Sequence, residues 1–122
     1  MSAQQVIDQA RPLLDQVLGQ IGLHQSGTPL DFVRLREPFS AWLQNQVVPP
    51  EDLFFLASVV GAFICEDLVQ HNAAERYIQG RQIWLRVPMQ SGIAKDFDPY
   101  ATALGLIQSK GSLGNFLATV GT

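Results

Sequence analysis

"PPEDLFFLASVVGAFICEDLVQH", residues 49–71, decides the fold. Two adjacent prolines cannot sit inside a helix, but Pro50 suits a first turn, and Glu51 and Asp52 suit the positive end of a helix dipole. A helix is therefore expected to begin at Pro50 and run to about Asn72. Between Leu53 and Ile64 it is apolar on nearly every side, broken only by Ser58 and by the small Ala57 and Gly61, which leave room for another element to approach. Such a helix belongs at the centre of a core. The thirteen residues "LFFLASVVGAFIC" fall short of the ~20 needed to cross a bilayer, so no membrane partner is expected.

Upstream, Val6, Ala10, Leu13, Leu14, Val17, Leu18 and Ile21 trace one helical face from Ser2 to about Gly19. Pro12 lies within it and predicts a start or a bend there. After the loop "GQIGLHQSGTPLD", Thr28 is expected to cap a second helical region with Pro29 at its first position. Phe32, Leu35, Phe39, Trp42 and Leu43 are its apolar members, and Pro38 predicts a split into two short helices.

Downstream, "ERYIQGRQIWLRVP" places β-branched and aromatic residues around Gly80, and apolar and polar positions alternate from Gln82 to Val87. That pattern predicts a β-hairpin. Pro88 closes its second strand, "GIAKDF" supplies a short third one, and Asp98-Pro99 starts a further helix. A last short helix carries Leu113, Phe116, Leu117 and Val120. The fold class is α+β: N-terminal helices with an apolar central helix, a small antiparallel hairpin or three-stranded sheet, then C-terminal helices. At 122 residues the chain is expected to form a single domain over 1–122.

From Leu56 to Glu66 the central helix fits L-x-x-x-x-G-x-[FY]-[IL]-x-E, Tyr77 opens the hairpin, Asp98-Pro99-Tyr100 forms a D-P-[FY] start, and Gly111 to Leu113 forms G-S-L. Through these motifs, over roughly residues 53–120, the chain resembles a loose group of small bacterial domains of unknown function, some of them similar to components of secretion or toxin-immunity loci. Tyr77 stands where that group would have a tryptophan. The resemblance implies an α+β fold and an immunity-like interaction role, and it implies no activity.

Composition narrows the function further. The net charge is −3, and the eight basic residues are dispersed, so the concentrated positive field that nucleic acid requires is missing. Only 16% of residues are charged against 47% apolar, a surface that suits an interface. The single Cys65 forms no internal disulfide and reads as a small buried hydrophobe, and the N-terminus lacks a signal-peptide pattern, so a cytoplasmic location is expected.

"ICEDLVQH" gathers groups that bind metals or move protons, but helical geometry separates them. Asp67 and His71 share a face at i, i+4, the spacing of two metal ligands, yet a zinc site needs three from the protein and His24, the other histidine, lies in a loop. Asp67–His71 is thus an alternative metal or small-ligand site. The simpler reading places His71 in the last turn, where the dipole favours an imidazolium. By angle Asp67 lies near the buried face and requires a partner, with Arg76, Arg81 and Arg34 as candidates. Neither a nucleophile context nor an acid/base pair of carboxylates is apparent, so no enzyme and no cofactor is expected.

The hairpin is more suggestive. If Ile83, Leu85 and Val87 pack on the helices, Gln82, Trp84 and Arg86 project outward. Trp, Tyr and Arg are the types enriched at interface hot spots. Trp84 and Arg86, with Arg81 and Tyr77, are the candidate anchors for a protein partner or for a second copy in a homodimer. The opposing reading is that the first or last helix folds over Trp84.

Overall fold

The computed structural model describes residues 3–23 and 31–120. In chain order it has α1 (Ala3–Gln20), α2 (Phe32–Gln44), a 3₁₀ turn (Pro50–Asp52), α3 (Leu53–His71), strands β1 (Glu75–Gln79), β2 (Gln82–Pro88) and β3 (Ala94–Phe97), then α4 (Pro99–Ser109) and α5 (Leu113–Thr119). The strands form one antiparallel sheet in the order β1-β2-β3. This is the expected α+β arrangement with three strands. No helix among the described residues is long and apolar enough to cross a membrane.

α3 supplies the core. Val59, Val60, Phe63, Ile64 and Leu68 are fully buried, and α1, α2 and α4 all pack on this helix. The α2–α3 contact is built from two matching rows at i, i+4, i+7: Phe32, Arg36 and Phe39 on one helix, Phe63, Asp67 and Gln70 on the other. Phe39 stacks on Phe63 with ring centroids 4.3 Å apart, and Phe32 meets the same ring edge-on at 5.2 Å. Gln70 Oε1 accepts a hydrogen bond from the Phe32 backbone N–H at 2.8 Å. Between them Arg36 grips Asp67 with two hydrogen bonds of 2.6 and 3.0 Å. Partners pair in reverse sequence order, so the helices run antiparallel.

That interface explains two departures from the sequence expectation. Pro38 does not split the second helical region; α2 is continuous across it. A proline costs one backbone hydrogen bond and some crowding, of order 3 kcal/mol. Here Arg36 and Phe39, on either side of Pro38, are pinned to α3, while Pro38 itself faces solvent. α1 likewise continues through Pro12. It ends in a Schellman motif: Leu23 N–H bonds to Leu18 C=O at 2.8 Å and Gly22 N–H to Gly19 C=O, with Gly22 at φ +79°. The expected cap at Thr28 and Pro29 lies outside the described residues, as does His24; Asp31 occupies the N-cap of α2 without a side-chain cap bond. The 3₁₀ turn takes up Pro50, Glu51 and Asp52, so α3 proper starts three residues later than expected.

α4 packs on α3 where the small residues predicted a close approach. A Cβ added at Gly61 would lie 2.5 Å from the Tyr100 ring. Asp98 caps this helix by accepting from Tyr100 N–H and Ala101 N–H, as the Asp-Pro pair predicted. The sheet turns Ile83, Leu85 and Val87 inward, each at most 5% exposed. Phe97 of β3 meets Phe116 of α5 edge-on at 5.7 Å, which joins the sheet to the last helix. Gly61→Ala is expected to lower the unfolding free energy by about 1–3 kcal/mol in urea titration, the range for overpacking a tight contact. A loss below ~0.5 kcal/mol would mean that Tyr100 swings aside freely.

Candidate functional site

The outward face of the hairpin follows from register. Gln79 pairs with Gln82, Tyr77 with Trp84 and Glu75 with Arg86, while Arg86 also faces Asp96 of β3. Because side chains alternate along a strand, Tyr77, Trp84, Arg86 and Asp96 share this face. Gln82 and Arg86 are exposed and Trp84 and Tyr77 half-buried. Trp84 is not among the side chains packed on the hydrophobic core, and its neighbours Gln82 and Arg86 on this face are open to solvent.

These side chains form a connected cluster. Arg86 binds Asp96 through two hydrogen bonds of 2.9 and 3.1 Å, and its guanidinium lies 5.1 Å from the centre of the Tyr77 ring. The hydrogen bonds from Arg86 hold the Asp96 carboxyl below its ordinary range, and that same partner raises Arg86. Desolvation, together with the Asp96 carboxylate, pushes the Tyr77 phenol up. Arg86 is therefore clamped across its own sheet, and its planar fork braces Tyr77 beside Trp84. Arg81 stands apart at the hairpin tip. There Gly80, at φ +64°, takes the position where a type II′ turn needs a positive φ.

Asp67 and His71 are not brought together as a site. Asp67 is completely buried and both its oxygens face Arg36, whereas His71 is exposed at the helix end. The described residues hold no cluster of three His, Cys, Asp or Glu suited to a metal ion. The expected partners of Asp67 are corrected as well. Arg34 lies 200° round α2 from Arg36 and is 87% exposed beside Asp31. Arg76 is taken by Glu66 at 3.3 Å, and Arg81 sits at the turn. Glu66 also binds Arg11 of α1 at 2.8 Å, so the adjacent acids of "ICEDLVQH" tie down different elements. Cys65 is buried, and loss of solvation pushes its thiol up to about 12, which keeps it protonated and unreactive near neutrality.

A second surface escapes the sequence reading. Phe54 and Phe55, expected in the core, are 74% and 48% exposed, and Val47 is 90% exposed. The signal lay in the pattern itself: α3 is apolar all round, and its first turn follows directly on Glu51 and Asp52, which must stay wet. Val47 belongs to a strap without regular secondary structure, residues 46–49, that forms a wall shared by two clefts. One, of about 360 Å³, reaches Leu53, Ile107 and Lys110; the other, of about 310 Å³, reaches Trp42, Asp52 and Phe55.

No protein-family model, curated protein or solved structure matches the chain. The resemblance to small bacterial domains therefore rests on its short motifs alone.

The hairpin clasp has a defined pH dependence. The folded pKa of Asp96 is depressed, so the clasp contributes fully above the ordinary carboxylate range and is lost as the pH falls through the depressed value. The Arg86 Nε–H resonance is expected to move with a midpoint below that of an ordinary aspartate, and Asp96→Asn to abolish the titration. A midpoint at the ordinary value would show that the clasp does not form in solution.

Proposed function

We propose that this chain is a non-enzymatic interaction module that docks a protein partner through the outer face of its hairpin, with Trp84 and Tyr77 as aromatic anchors. The observation that carries the reading is the open face around the cross-strand Tyr77–Trp84 pair. A braced aromatic pair loses little side-chain entropy on binding, and desolvated aromatics dominate interface energetics. Arg86 acts here as the brace, offering its outer edge to an acceptor, and Arg81 extends the basic rim at the tip. The non-enzymatic part is supported by how the reactive groups are used: Asp67 is held by Arg36, and the Cys65 thiol is buried. An immunity-like inhibitor is one form of this role, and a cytoplasmic, bacterial setting would suit it.

The test is a photo-crosslinking amino acid at the exposed Gln82 position in the producing cell, in the wild-type and Trp84→Ala backgrounds. A discrete protein adduct is expected in the first and its loss in the second, with Trp84→Ala costing less than about 1 kcal/mol of stability. No adduct, an adduct indifferent to Trp84, or unfolding of Trp84→Ala would each sink the proposal.

A further inference from the structure

The hairpin packs toward the C-terminal end of α3, where Arg76 of β1 holds Glu66. Phe54 and Phe55 lie at the opposite end of this 19-residue helix, which at 1.5 Å per residue is about 28 Å long. The two surfaces are thus separate, and the one at Phe54 and Phe55 makes its own demand. Phe55 and Val47 border the same cleft, and Phe54 stands beside Phe55 in the first turn of α3. Exposed large apolar side chains that share a cleft mark an association site, where scattered single ones would not.

We propose that this end of the molecule is where the chain pairs with a second copy of itself, through Val47, Phe54 and Phe55. The layout of the patch selects that occupant. Val47 projects from a strap flanked on each side by a cleft, of about 360 and 310 Å³. In an isologous pair with its two-fold axis along the strap, strap meets strap and each cleft faces the unlike cleft of the other copy. That arrangement is self-complementary in charge. Lys110 borders one cleft and Asp52, next to Glu51, the other; all three are exposed and make no ion pair among the described residues. A two-fold axis along the strap brings Lys110 of each copy to Asp52 and Glu51 of the other, and it separates like charges.

The strap is also held ready. Gln46 Nε2 donates to Trp42 C=O at 2.9 Å, Pro49 fixes an extended backbone, and Asp52 N–H donates to Pro49 C=O at 2.9 Å. Little freedom remains to be lost on association. Lys110 itself supports the reading. It occupies the C′ position of a Schellman motif, where Gly111 N–H bonds to Leu106 C=O, with φ +55° in the left-handed region that favours glycine. A lysine there costs stability, and an intermolecular ion pair gives its side chain a use that glycine lacks.

Sedimentation equilibrium of the full chain tests this, in wild type and in Phe54→Ser, Phe55→Ser, Lys110→Glu, Asp52→Lys and Trp84→Ala, with circular dichroism to confirm folding. The expected results are a concentration-dependent wild-type dimer, a Kd raised about tenfold or more by either serine, and weakening by each single charge reversal. The Lys110→Glu/Asp52→Lys double variant is expected to regain affinity, and Trp84→Ala to leave the dimer intact. A wild-type chain that stays monomeric at millimolar concentration would overturn the proposal, as would a dimer indifferent to both serines or a double reversal no better than its parents. A dimer lost with Trp84→Ala but kept in the serine variants would move the interface to the hairpin. Because the hairpin test reads an adduct at position 82, the two proposals can fail independently.

Discussion

The buried pair of Arg36 and Asp67 is the constraint on which the rest of the structure depends. Asp67 has no exposed surface and the Arg36 side chain is 12% exposed, so neither charge can be left without the other. Apolar contacts alone would let α2 slide by a turn along the nearly uniform surface of α3. A bidentate ion pair between two aromatic contacts fixes one register. From that register follow the contacts α2 makes with the C-terminal half. Ser40 Oγ accepts from Gly114 N–H at 3.0 Å, and Gln44 Nε2 donates to Gly111 C=O at 2.8 Å. One helix thereby sets the start of α5 and closes the end of α4.

Glu66, one residue before Asp67, does the complementary work on another face. Its two oxygens receive Arg11 and Arg76, which tie α1 and β1 to the same turn of α3. These pairs are half-exposed and contribute less than the buried one, and Arg11 further lies 5.4 Å from the centre of the Phe32 ring. The polar groups of α3 are thus concentrated near its C-terminal end, where they organise neighbours. Its N-terminal turn carries only apolar side chains, and the elements available to a chain of this size leave part of it open. Surface chemistry and core architecture have the same origin here.

Most of the fold was legible in the sequence because it depends on local signals. Alternation fixed the inward Ile83, Leu85 and Val87, Asp98-Pro99 marked a helix start, and Gly61 marked a close approach. What depends on distant partners was not legible. Pro12 and Pro38 are breakers by local rule, yet tertiary packing carries α1 and α2 across them. That Asp67 needed a cation could be read from its helical angle, but Arg34 and Arg36 differ by half a helical turn that only the placement of α2 resolves. Asp96, which clamps Arg86, came from a strand whose register the sequence left open. Exposure of Phe54 and Phe55 depends on which elements cover α3, and periodicity says nothing about coverage when a helix is apolar all round.

The central claim is most directly tested by a double-mutant cycle on Arg36 and Asp67, with unfolding free energies from urea titration. Arg36→Met and Asp67→Leu should each cost about 3–5 kcal/mol, because each strands a buried charge, and the double variant should recover most of that loss. A single variant that fails to fold beside a folded double one would carry the same meaning. Single losses below about 1 kcal/mol, or costs that simply add, would contradict the account.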